Sequence, residues 1–168
     1  MGATYSFDNP GGLAAKVALS ATVFLALLAG TTIYLLDRDW ASTLFLAPVF
    51  SWQPNLNLSL GFIGASLPSL CHAYAFTLLI ILVLWPSRHA RLAGALSWLF
   101  VACVLECLQA EAINNLVAGG TVWFADMPLA GYFLAYMLNG HFDIADLVAT
   151  GLGVCGAFVA SSILGRRS

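Results

Sequence analysis

Five side chains able to bond, ionise or pass protons stand in or beside long apolar segments: His72, Glu106, Gln109, Asp143 and Asp146. A charged group at the centre of a bilayer costs at least about 2.5 kcal/mol, so such residues turn inward, pair, or serve a site. Together they could line a pocket for a lipid-linked or amphiphilic ligand. A carboxyl beside an imidazole could also act as acid and base. Each residue has a plainer role as well. Glu106 suits a carboxyl that only hydrogen-bonds a neighbouring helix, and His72 suits a helix-packing hydrogen bond. Asp143 and Asp146 suit the start of a helix, where the macrodipole favours negative charge.

Other chemistries fit less well. His, Glu and Asp are all metal ligands, but no HExxH or comparable spacing is present, so neither a metal nor another cofactor is expected. Ser66 and Ser69 lie near His72 without a recognisable nucleophile motif. His141 reads as interfacial and His89, beside Arg88, as solvated. Cys71, Cys103, Cys107 and Cys155 all fall in apolar segments, form no CxxC pair and read as small hydrophobes.

Hydrophobic residues make up 61% of the chain and charged residues only 8%, against about 25% in a soluble domain, so it could not cover a water-facing surface. The net charge of −2 and the lack of a basic tract exclude a nucleic-acid partner, and 168 residues suit one domain. A spanning helix needs about 20 mostly apolar residues. Four segments qualify, at about 17–36, 67–85, 92–113 and 144–164. The first follows Lys16 with no A-x-A-type cleavage site after it, and reads as an uncleaved span. The expected fold is all-α, an integral membrane four-helix bundle.

With four spans, Lys16, Arg88, Arg91, Arg166 and Arg167 share one side and Arg38 stands alone opposite. The positive-inside rule then places both termini in the cytoplasm. A fifth span within Leu116–Leu138 would reverse Arg166 and Arg167, and is rejected. The two outer connections, 37–66 and 114–141, are long, partly apolar and rich in aromatics such as Trp40, Trp52, Trp123 and Tyr136. Such residues favour the headgroup level, so these segments are expected to lie over the outer end of the bundle. Counted from Trp85 and Arg91, His72 and Glu106 both come out about 20 Å above the inner boundary. Gln109 follows Glu106 by one turn, and Asp143 and Asp146 stand one turn apart at the entrance to the last span.

Three short motifs occur in order: His72-Ala73-Tyr74, Glu106-Cys107-Leu108-Gln109, and Phe142-Asp143-Ile144-Ala145-Asp146 followed by Gly153 and Gly156. This order resembles the VanZ-like family of small bacterial membrane proteins over roughly residues 67–158. Pro68-Ser69 stand where that family commonly has Asp-Lys, Gly140 where it has Arg, and Thr150 where it has Asn. The segment between Gln109 and Phe142 is also longer. The resemblance implies a multi-pass protein of the bacterial cytoplasmic membrane, acting at the cell envelope, and supplies no reaction.

Two functions are therefore expected to compete. One is an outward-facing polar pocket for a lipid-linked or envelope ligand, with membrane lipids as partners. The other is a structural or accessory subunit of a larger membrane protein complex, docking through its small-residue helices and apolar outer segments. A channel is the weakest option, because the inner halves of all four spans are apolar.

Overall fold

Backbone polar groups inside a bilayer must be satisfied within their own segment, so long apolar runs become helices. The computed structural model describes residues 10–37, 60–85, 87–111 and 140–165. These residues form α1 (Pro10–Asp37), α2 (Gly61–Val83), α3 (Arg88–Cys107) and α4 (Ile144–Gly165), with no strand among them. All four helices are long and apolar enough to cross a membrane, as a multi-pass membrane protein requires. Arg38, Arg166 and Arg167, the aromatic outer connections and the rejected fifth span fall wholly or mostly outside the described residues.

Three boundaries of helices α2 and α3 differ from the sequence expectation in ways that move the polar residues. Helix α2 starts at Gly61 rather than about residue 67, and runs through Pro68. Proline is tolerated in spanning helices because neighbours re-satisfy the freed backbone group. Helix α3 starts at Arg88, behind Ser87, whose Oγ accepts from the Ala90 N–H at 3.2 Å as an N-cap. It ends at Cys107, six residues earlier than expected. The chain then tightens, with the Gln109 N–H donating to the Glu106 carbonyl at 3.0 Å and the Ala110 N–H to the Cys107 carbonyl at 3.1 Å.

Successive helices run antiparallel, and α2 occupies the middle. Leu19 and Val23 of α1 pack with Ala75 and Leu78 of α2 and Ala157 of α4. Small residues bring the backbones close, as expected where apolar side chains gain nothing by leaving lipid. A Cβ at Gly153 would lie 2.5 Å from the Leu70 carbonyl oxygen, and one at Gly30 would lie 2.8 Å from the Cys71 Cβ. Helix α3 is held more loosely, through Ala95, Trp98 and Leu99 against Ala73 and Val154. Its other face, including Leu92, Leu96, Phe100 and Val104, is exposed to the surroundings of the bundle.

Hydroxyls in the spans mostly return to their own helix. Thr22 Oγ1 donates to the Leu19 carbonyl at 2.8 Å, Thr77 Oγ1 to the Ala73 carbonyl at 2.7 Å and Ser161 Oγ to the Phe158 carbonyl at 2.9 Å. Ser66 departs from this habit. It is only 7% exposed, and its Oγ has no hydrogen-bond partner among the described residues.

Candidate functional site

The first turn of a helix leaves backbone N–H groups without intrahelical partners, and near hydrocarbon they need acceptors from elsewhere. At α4 these come from two carboxylates. Asp143 is the N-cap: its Oδ1 accepts from the Ala145 N–H at 2.8 Å, and its carbonyl accepts from the Asp146 and Leu147 N–H groups. Its own N–H donates to Glu106 Oε1, at the end of α3, at 2.9 Å. In a capping box that N–H goes to the helix's own third residue. Here a neighbouring helix supplies the acceptor. Asp146 stands in the first turn, and Asp146 and Asp143 both lie within electrostatic range of Glu106.

Gln109 closes the junction. It is 7% exposed, and its side chain lies against Gly140, where a Cβ would collide with its Oε1, Cδ and Cγ. Gln109 therefore belongs to a turn beyond α3, not to a further helical turn above Glu106.

His72 does not join the carboxylates. It stands eleven residues from either end of α2, whereas Glu106 is one residue from the end of α3. The difference of ten residues, at a rise of 1.5 Å each, separates their levels by about 15 Å. The equal depths expected from the sequence therefore do not hold, because α2 starts earlier and α3 ends earlier than hydropathy implies. The His72 ring hydrogen-bonds the Pro68 carbonyl, neighbours Gly30 of α1 and packs beside Phe76, with 6.4 Å between ring centroids. Phe76 in turn meets Trp98 of α3 at 5.2 Å. This is a helix-packing environment in the middle of the bundle.

A second carboxylate does the same work as Glu106 and was not singled out by sequence. Asp37, the last residue of α1, accepts from the Leu60 N–H at 2.7 Å through Oδ1. Leu60 is the N-cap of α2 and has no side-chain cap of its own. Gly64 leaves the space in which the Asp37 carboxyl sits. The signal in the sequence is an acid ending one apolar span and a glycine opening the next. Asp37→Ala is expected to destabilise the fold by about 1 kcal/mol, with Asp37→Asn costing less because the amide oxygen still accepts. Unfolding of both variants in detergent, followed by circular dichroism, measures the difference; equal losses would count against the capping role.

Among the described residues, no group of three or more His, Cys, Asp or Glu side chains is placed to hold a metal ion. What the junction offers is hydrogen-bond acceptors and negative charge at one end of two spanning helices. Beside it, α2 and α4 part to leave an apolar cavity of about 210 Å³, whose α4 wall begins at Ala145. No family model, curated protein or solved structure matches the chain.

Proposed function

We propose that this chain is a small membrane protein of the bacterial cytoplasmic membrane that binds an amphiphile of the cell envelope at the outer end of its bundle. The observation that carries it is the meeting of Glu106, Asp143 and Asp146, from two spanning helices, beside an apolar cavity. Carboxylates accept from ammonium and hydroxyl groups and repel bare phosphate, so the headgroup favoured here is rich in donors. Gln109 and Asp143 complete the polar side, and His72 acts on the packing of α1 against α2. Both termini face the cytoplasm in this orientation. The ordered motifs that resemble the VanZ-like family support an envelope role. The expected arginine has no room at Gly140 unless Gln109 moves, which fits a headgroup preference of this chain's own.

The test compares two lipids with identical chains, dioleoyl phosphatidylethanolamine and dioleoyl phosphatidylglycerol, by native mass spectrometry of the purified protein. The amine-bearing lipid is expected to bind about three- to tenfold more tightly, and Glu106→Gln to narrow that preference. Equal binding of the two lipids by the unaltered protein would refute the proposal.

A role as accessory subunit has its own support in the loose packing of α3, where only Ala95 is buried along the helix. Reproducible co-purification with one stoichiometric membrane protein in mild detergent would favour it.

A further inference from the structure

The geometry points to the cleft between α2 and α4 as the seat of one acyl chain of an ester-linked lipid, with the Ser66 hydroxyl donating to its ester carbonyl. The cleft has a volume of about 210 Å³ and is walled by Phe62, Ile63 and Leu70 of α2 and by Ala145, Val148 and Leu152 of α4. Among the described residues, every wall residue apart from Ser66 is apolar. An apolar cavity of about 150 Å³ already stays dry, so water is a poor occupant. The cleft lies between two spanning helices in the half of the bundle nearest Gly61 and Ile144, where the surrounding medium is lipid. A hydrocarbon chain fits both the walls and the medium.

Ser66 identifies the kind of chain. A buried hydroxyl without a partner costs about 1–3 kcal/mol, and Thr22, Thr77 and Ser161, elsewhere in the bundle, avoid that cost by bonding to carbonyls of their own helix. The Ser66 Oγ does not; the side chain forms part of the cleft wall with its oxygen covered, and a turn about the Cα–Cβ bond is what brings the hydroxyl to an acceptor in the cleft. It lies five residues into α2, about 7.5 Å below the helix start. The polar layer on each side of a bilayer is roughly 6 Å thick, so with Gly61 taken at the outer face this is about the depth at which headgroup gives way to hydrocarbon. In a glycerolipid the ester carbonyls sit at that boundary. A polyprenyl chain has no acceptor there.

Ser66 is not part of a catalytic pair with His72. Leu70 shares the cleft wall, and His72 follows it by two residues, roughly 200° around the helix, on nearly the opposite side. The site therefore binds, and the inference adds no reaction.

The assignment rests on the proposed function only in that one ligand spans both places, its chain in the cleft and its head toward the α3–α4 junction. The experiment separates the two. Dioleoyl phosphatidylethanolamine and its diether analogue, which lacks the carbonyls, are titrated against the purified full chain by native mass spectrometry. The ester lipid is expected to bind about three- to tenfold more tightly than the ether lipid, the worth of one neutral hydrogen bond. Ser66→Ala removes that preference, and Val148→Trp, at an exposed point of the wall, weakens both lipids by obstructing the cleft. Ester and ether lipids binding alike, or a preference that survives in Ser66→Ala, overturns the inference. Undiminished binding of both lipids to Val148→Trp overturns it too. Loss of the amine preference in Glu106→Gln with the ester preference intact shows that head and chain are read separately. An ester preference without any amine preference removes the headgroup proposal and leaves the cleft assignment standing.

Discussion

Gly153→Val is expected to separate α2 from α4 and to destabilise the bundle more than any other single glycine substitution in the spans. A Cβ at this position would lie 2.5 Å from the Leu70 carbonyl oxygen, 2.9 Å from the Tyr74 nitrogen and 3.0 Å from the Ala73 Cβ. Two of these atoms are backbone of the central helix and cannot yield without breaking its hydrogen-bond ladder. Overpacking of a close contact costs about 1–3 kcal/mol. Gly153→Ala should reach that range, and valine should exceed it. Gly156 supplies the control, since a Cβ there would meet only the Tyr74 ring at 3.6 Å, an ordinary contact. Gly156→Ala should leave stability within about 0.5 kcal/mol of the parent. Equilibrium unfolding in mixed micelles gives both values. Similar effects at the two positions would mean that α2 and α4 do not approach as closely as described.

Glu106→Ala is the second large effect, expected to lower stability by about 1–2 kcal/mol. The substitution leaves the Asp143 N–H without its acceptor at the start of α4. Glu106→Gln keeps an oxygen in place and should cost less than half as much. The pair separates two roles of one residue. Capping tolerates glutamine, whereas attraction of a cationic head needs the charge. A variant that folds as well as the parent yet loses its headgroup preference is therefore the informative one.

Most of the architecture was legible in the sequence because the bilayer imposes a simple rule on it. Four apolar runs of sufficient length gave four spans, and the bounds of α4 came out almost as expected. Hydropathy was less able to place helix ends, since it averages over residues while a helix ends at particular hydrogen bonds. Ser87 starts α3 four residues before the apolar run begins, and the turn at Gln109 ends it well before that run is over. Those shifts carried Glu106 to the helix end and His72 to the middle of α2, so one supposed layer of polar groups became two. The link between Glu106 and Asp143 was half visible. Their motifs stood out as polar groups beside spans, but a contact across 37 residues of chain cannot be read from spacing. Asp37 escaped notice because an acid just after an apolar run looks like the first residue of a loop. Its role depends on Leu60 lacking a cap and on Gly64 lacking a side chain, which only the packed structure brings together. Ser66 was visible only as a serine near a histidine. Its distinction is the bond it does not make.

The central claim is that the cleft between α2 and α4 holds a lipid chain, and photocrosslinking maps it directly. A diester phosphatidylethanolamine carrying a diazirine in its acyl chain is incorporated with the protein into bilayers, irradiated, and its adducts located by mass spectrometry. Adducts are expected to concentrate on Leu67 and Leu70 and on Val148 and Leu152, at or below the level of Ser66, and to fall in Val148→Trp. Adducts spread evenly over equally exposed apolar residues outside the cleft, such as Leu25 and Leu28 of α1 and Phe100 of α3, would contradict it.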